Sequence, residues 1–222
     1  MSASALISIG ARALLVNQRA MQTVGHNIAN ASVEGYSRQR VELGTATGQF
    51  SGAGFYGRGV NIQTVTRSYN EFLTRQATAT RSQSAYDTTR SEHLSRLESV
   101  FQGGEEGIGA AVGEFLNAMV DMASRPQDLA ARQVVLGRAG EMAQRFAAAG
   151  AELDAMQSGV AQDLRSAVES VNDLAQRIAN VNGQIAALNG TGHAPNDLLD
   201  QRDQMIAELS DQVQISTIAA DD

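Results

Sequence analysis

Residues 160–188 read "VAQDLRSAVESVNDLAQRIANVNGQIAAL". Val160, Ala167, Leu174, Val181 and Leu188 stand seven apart, and Leu164, Val171, Ile178 and Ile185 form a second seven-residue series beside them. Two apolar series offset by three or four residues make the a/d seam of a coiled coil, because the helical repeat brings both back to one face. The register runs back through Leu153, Phe146 and Ala139, and through Ala143 and Leu136. One helix is expected from about 127 to 189, roughly 90 Å long at 1.5 Å per residue. The fold class that follows is mainly α, an elongated helical bundle or coiled-coil rod.

Beyond the seam, "NGTGHAPND" (189–197) reads as a turn, and Asp197 can cap a last helix, "LLDQRDQMIAELSDQV". Leu198, Leu199, Met205, Ile206, Leu209 and Val213 would face inward, so this helix folds back on the long one. That favours an intramolecular bundle over a dimeric coiled coil. "QISTIAADD" (214–222) has a strand-like start without a partner strand.

Upstream, Pro126 suits the start of the long helix. A shorter helix over Ile108–Ser124 carries Val112, Phe115, Leu116, Met119 and Val120 inward, and a polar helix is expected from Ser68 to Phe101. Residues 36–67 change period: polar and apolar residues alternate on either side of "GTATGQFSGAGFYGRG" (44–59). Two strands joined by a flexible glycine-rich loop, a small β-hairpin-like insertion, account for this. Residues 4–31 form an amphipathic helix. Leu6, Ile9, Ala13, Val16 and Ala20 follow three- and four-residue steps, with Ile7, Leu14, Met21 and Ile28 in a second row. So wide an apolar face needs a partner helix.

Composition narrows the chemistry. The 222 residues are 43 % hydrophobic but 5 % aromatic, with no Trp and two Pro, which suits long helices better than an α/β enzyme. The absence of Cys from these residues excludes disulfides, thiol catalysis and Cys-bound metals within them. Every one of the 17 basic residues is Arg. Residues 1–100 hold ten Arg and six acids, about +4, and residues 101–222 seven Arg and eighteen acids, about −11, summing to the net −7. Neither half is basic enough for nucleic acid. No secretory signal or membrane span is legible, and the first helix has few cations for a membrane surface.

Three stretches invite sharper readings. His26 beside Asn27 and Asn30 lacks a second ligand at metal spacing, so capping and turn hydrogen bonds explain it better. "GAGFYGRG" lacks the Lys-Ser/Thr of a phosphate loop and reads as a contact loop. Asp197, Asp200 and Asp203 lack the turn glycine and distal Glu of a calcium loop, leaving Asp197 as a cap and Asp200-Arg202-Asp203 as a solvated face. Arg202 has the alternative of pairing with an acid on the long helix. No catalytic, cofactor-binding or metal residue emerges, and no small-molecule substrate is implied.

The segment "HNIANASVEGYSRQRVEL" (26–43) resembles the N-terminal signature of the bacterial flagellar axial proteins, the rod, hook and hook-associated proteins. Asn27, Ile28, Ala29, Asn30, Gly35, Tyr36 and Arg38 match its pattern N-N-I-A-N-x-x-T-x-G-Y-x-R, with His26 in place of an Asn and Val33-Glu34 in place of Thr-Pro. "YSRQRVEL", "RSYNEFLTRQ", "LAARQVVLGRAGEMAQRF", "QRIANVNGQIAALN" and "PNDLLDQRDQMIAELS" look like successive segments of the hook-associated family of the hook–filament junction.

The resemblance implies a structural subunit without catalysis, exported unfolded by the flagellar type III apparatus and lying outside the cell in the flagellum. Its implied partners are copies of itself, the hook protein, a second junction protein, the export apparatus and a chaperone. Residues 1–35 become an axial helix, disordered in the monomer, whose packing interface is Leu6, Ile9, Ala13, Val16 and Ala20. Residues 36–67 are the β-hairpin insertion, 68–213 the bundle with its seam at Val160, Leu164, Leu174, Ile178, Val181, Ile185 and Leu188, and 214–222 the start of an outer β-rich domain. In the family a C-terminal helix pairs with the axial helix; neither that helix nor the outer domain lies within the 222 residues. A rod or hook protein remains an alternative, although it does not need the heptad rod with "LLDQRD". A peptidoglycan hydrolase would need a carboxylate or Cys/His pair. A secreted coiled-coil interaction protein explains the heptads but not "NIAN…GY".

Overall fold

A computed structural model describes residues 3–52, 54–188 and 193–218. Among them are five helices and four short strands, and the fold is mainly α. The elements are α1 (Ala3–Ala29), β1 (Gln39–Thr45), β2 (Gln49–Ser51), β3 (Gly54–Tyr56), β4 (Val60–Arg67), α2 (Glu71–Val100), α3 (Ile108–Ser124), α4 (Leu129–Leu188) and α5 (Asn196–Ser210). The chain divides into two compact units, one of Met1–Gln83 with Val171–Asp222 and the other of Ser84–Ser170. The divisions fall inside α2 and α4.

In the first unit β1 and β4 pair antiparallel, from Gln39 opposite Arg67 to Thr45 opposite Val60, with a register shift at Glu42/Leu43. α1 packs on both strands. The glycine-rich segment between them is more ordered than a flexible loop. β2 and β3 form a second small hairpin there, with Phe50 opposite Phe55, and the cross-strand aromatic pair supplies a reason to close it. Gly59, at φ +88, leaves room for Ile9 of α1; a Cβ there would meet Ile9 Cγ2 at 3.3 Å.

The core of this unit is the end of the heptad seam. Leu174, Val181 and Ile185 of α4 bury themselves with Met205 of α5, and Ile178, Leu198, Leu199 and Leu209 pack around them. α5 therefore folds back on the seam. Asp197 does not cap it: the helix starts at Asn196, two residues earlier than a cap at Asp197 would allow, after Pro195 and without a side-chain capping bond. Asp197 lies in the first turn, where a carboxylate suits the helix dipole, and its Oδ1 accepts a hydrogen bond from Gln39 Nε2 at 3.1 Å. Of the turn expected over 189–197, residues 189–192 lie outside the described residues. Residues 214–218 have no regular secondary structure, and 219–222 lie outside the description.

Two helix starts carry side-chain caps. Asn70 Oδ1 accepts the Leu73 N–H at 3.1 Å at the head of α2. Asp128 Oδ1 accepts the Ala130 N–H at 2.9 Å at the head of α4. Pro126 is not in the first turn. It precedes the helix, and its carbonyl accepts two hydrogen bonds from the Arg132 guanidinium. In the second unit Ala111, Ala118 and Val135 are the buried apolar residues among those described. Arg138 bridges Glu114 and Glu141, and Arg145 Nη1 holds the α2–α3 turn through the Glu105 and Gly107 carbonyls. Here the seam is open: Val160 is 45 % and Leu164 64 % exposed.

Candidate functional site

The signature residues of the first helix build a polar clamp. Asn27 sits at the end of α1, where its side chain can pair like a peptide group. Its Nδ2 donates to the Gln39 carbonyl at 2.8 Å, and its Oδ1 accepts the Gln39 N–H at 2.8 Å. The Tyr36 hydroxyl donates to the same Oδ1 at 2.7 Å. The chain must reverse between α1 and β1, and Gly35 allows it with φ +79. A Cβ at Gly35 would also crowd Gln204 of α5, at 3.1–3.3 Å. Asn30 closes the helix end: its Nδ2 donates to the His26 carbonyl at 2.9 Å. His26 meets the Tyr36 ring edge-on at 5.5 Å.

A second layer ties this turn to α5. Arg67 ends β4 opposite Gln39. Its Nη1 donates to Asp200 Oδ1 at 2.8 Å. Its Nη2 lies 2.7 Å from Asp203 Oδ2, an ion pair without hydrogen-bond alignment. Asp200 Oδ2 accepts the Ser37 N–H at 2.9 Å, and Asn196 Nδ2 donates to the Val65 carbonyl at 2.9 Å. The Arg67 guanidinium also stacks 4.2 Å over the Tyr69 ring. Arg67 and Asp200 are nearly buried. A buried charge of this kind is tolerable only when paired and hydrogen-bonded, and here both conditions hold. Burial, then the carboxylates of Asp197 and Asp200, push the Tyr36 phenol above its usual value, so it stays a proton donor to Asn27.

This overturns the solvated face expected of Asp200-Arg202-Asp203. The polar face of α5 turns toward the end of β4, so Asp200 and Asp203 serve Arg67 rather than water. Arg202 pairs with its neighbour Asp203, at 2.9 Å, and not with an acid of α4. Among the described residues no group of three His, Cys, Asp or Glu could hold a metal ion, and no helix is long and apolar enough to cross a membrane.

The remaining predicted positions divide in an informative way. On α1, Val16 is buried at 6 %, Ile9, Ala13 and Ala20 are half-buried, and Leu6 is exposed. α1 packs on β1 and β4, so the row with buried Val16 already has a partner within the chain. The neighbouring row is the open one: Ile7, Leu14, Met21 and Ile28 are each 69–72 % exposed. Ala29 and Arg38 are exposed, and the Arg38 carbonyl accepts the Ser68 N–H at 2.7 Å. On the seam, Leu174, Val181 and Ile185 are buried, Ile178 packs against them, and Leu188 is exposed. Gln39, Arg67, Asn196, Asp200 and Asp203 were not singled out as a set. Their partners lie up to 163 positions apart, so no local spacing could reveal them.

The arrangement offers no nucleophile with a base beside it. It fixes a helix, a hairpin and a second helix together and leaves a row of apolar side chains in water. Residues 94–222 match the family described as the flagellar hook-associated protein FlgK helical domain. The chain belongs to the FlgK family. Flagellar hook-associated protein 1 of Salmonella typhimurium is 34 % identical over 209 residues, covering 93 % of this chain and 38 % of that protein. Its counterpart of the same name in Escherichia coli is 30 % identical over 220 residues, 98 % of this chain and 40 % of that one. That of Bacillus subtilis is 33 % identical over 213 residues, 92 % and 42 % respectively. The chain thus spans about two fifths of the length of the FlgK relatives it matches.

Proposed function

We propose that this chain is a non-catalytic structural subunit of the hook–filament junction of a bacterial flagellum, lying outside the cell after type III export. It assembles with copies of itself between the hook protein and a second junction protein, after handling by the export apparatus and a chaperone. Residues 1–35 serve as the axial helix, 36–67 as the hairpin that fixes it, and 68–213 as the helical bundle. The observation that carries this reading is the row Ile7, Leu14, Met21 and Ile28, open to water on a helix whose other face is already packed, in a chain of the FlgK family. Repeated large apolar residues of this kind mark an interaction face. We therefore assign the intersubunit face of α1 to this row rather than to Ile9, Ala13, Val16 and Ala20.

The test is removal of the encoding gene from its flagellated host. Hooks without filaments, with filament subunits released to the medium, are the expected outcome. The intact gene restores filaments, and a Leu14→Glu, Met21→Glu variant does not. Normal filaments on cells without the gene would overturn the reading.

A further inference from the structure

Two exposed surfaces take no part in the clamp or in the open row of α1. The first is the tip of the β2–β3 hairpin. Phe50 and Phe55 meet there as a tilted pair with ring centroids 5.3 Å apart, yet Phe55 is 80 % and Phe50 62 % exposed. An aromatic pair held together but left in water is a ready-made contact, since its shape is set before a partner arrives. The surrounding segment 36–67 is basic, with four arginines (38, 40, 58 and 67) against the single acid Glu42. Arg67 is committed to Asp200 and Asp203, and Arg40 to Glu42. Arg58 is exposed two residues beyond β3, at the open end of this hairpin, and makes no ion pair among the described residues.

The second surface belongs to the other unit, where α2 ends. Leu94, Leu97 and Phe101 stand at i, i+3 and i+7, on one side of the helix, and all three are exposed. Glu98 lies among them, and Glu105 and Glu106 follow in the turn that Arg145 holds through backbone carbonyls. These three glutamates make no ion pair among the described residues, whereas Glu114 and Glu141 share Arg138. This is a compact apolar patch with three glutamates outside any ion pair, against the one Arg145 guanidinium that holds the turn. The β2–β3 hairpin is a compact aromatic knob with an exposed arginine, outside any ion pair, at its open end.

We propose that the hairpin tip of one copy docks on the α2 end of a second copy. Phe50 and Phe55 meet Leu94, Leu97 and Phe101, and Arg58 faces Glu98, Glu105 and Glu106. The occupant is a second copy because one chain carries both halves of a charge-complementary pair. A lipid surface would accept the tip and leave the acidic patch unused. The open seam at Val160 and Leu164 suits a long helix rather than a knob. A contact between two different surfaces of the same chain is head-to-tail, and successive head-to-tail contacts close into a ring or continue as a helix. The inference rests on the reading that the chain assembles with copies of itself, and it adds which surfaces meet.

The 222 residues contain no Cys, so a disulfide can report the contact directly. Two differently tagged full-length copies, one carrying Ser51→Cys and the other Gln102→Cys, are expressed together in the flagellated host. Isolated flagella are then oxidised in air with a copper catalyst. Both positions are exposed and flank the proposed contact without belonging to it. A disulfide forms only when the two Cα atoms approach within about 7 Å. The expected result is a dimer carrying both tags, absent when either variant is present alone and lost on reduction. Normal filaments without this mixed dimer would overturn the contact and leave the assembly reading standing. Filaments on cells without the gene would strike the assembly reading itself. The second measurement needs no cysteine: Arg58→Glu shrinks the swimming halo, and adding Glu105→Arg with Glu106→Arg restores it. Failure of the charge reversal to restore swimming would equally overturn the proposal.

Discussion

Asn27 and Gln39 are joined as two paired strand residues would be, although one of them contributes a side chain. Asn27 Nδ2 gives its proton to the Gln39 carbonyl and Oδ1 takes the Gln39 N–H, each at 2.8 Å. The end of α1 is thereby fixed to the start of β1 without a strand between them.

Asn27→Ala removes three hydrogen bonds at once and leaves the Gln39 N–H and carbonyl without these partners. A loss of about 2–3 kcal/mol is expected in urea unfolding. Tyr36→Phe removes a single bond and should lose about 1 kcal/mol. If the two variants unfold at the same urea concentration, Asn27 is not the hub of the turn.

Arg67→Met leaves Asp200 and Asp203 without their shared cation at a nearly buried position. Breaking a buried pair from one side is expected to cost about 3–5 kcal/mol. Arg67→Lys should recover only part of that, because one ammonium cannot reproduce a fork that reaches two carboxylates. Thermal unfolding of the three chains side by side checks the order.

Gly35→Ala meets both a left-handed backbone at φ +79 and the Gln204 side chain at 3.1–3.3 Å. The backbone alone should cost about 1–2 kcal/mol. Gly103→Ala has open space and an ordinary backbone, so it is the control and should unfold with the parent.

Tyr36 predicts an alkaline limit. Burial first, then Asp197 and Asp200, raise its phenol above the ordinary 10.0. The unfolded chain therefore releases this proton before the folded one. The stabilisation is complete below pH 10.0 and is lost as pH rises through the folded value. Tyr36→Phe should flatten that part of the stability–pH curve, and an unchanged alkaline slope would count against the assignment.

The two rows of α1 should separate stability from assembly. Val16→Ala removes packed side-chain volume at a buried site and should cost about 1–2 kcal/mol in urea unfolding. Met21→Glu changes a residue that is 69 % exposed, so folding should be nearly untouched while filament attachment fails. Equal effects of the two variants on urea unfolding would show that the rows do not differ in role.

Much of the fold was legible because helices write their period into adjacent residues. The long helix α4 with its buried residues Leu174, Val181 and Ile185, the fold-back of α5 and the bounds of α3 were readable in the sequence. The clamp was half legible. Asn27, Gly35 and Tyr36 stood out through a resemblance, but Arg67, Asp200 and Asp203 lie in segments that each read as ordinary polar surface. Their meaning depends on a meeting across 133 positions, which no local pattern records. The face of α1 was half legible for a related reason. Periodicity finds both apolar rows, but only the placement of β1 and β4 decides which row is already covered. The small β2–β3 hairpin was hidden because glycine-rich composition looks like mobility even where an aromatic pair closes it.

The first unit is built from two stretches, Met1–Gln83 and Val171–Asp222, that are far apart along the chain. A chain delivered N-terminus first presents Arg67 long before Asp200 arrives. Until then the guanidinium remains hydrated, and Asn27 and Gln39 have no second layer behind them. The final 133-residue closure is slow compared with helix formation, because distant contacts must overcome loop entropy before they stabilise anything. The connectivity is thus a timer: however early its first helix forms, this unit cannot lock until nearly all of its residues have emerged.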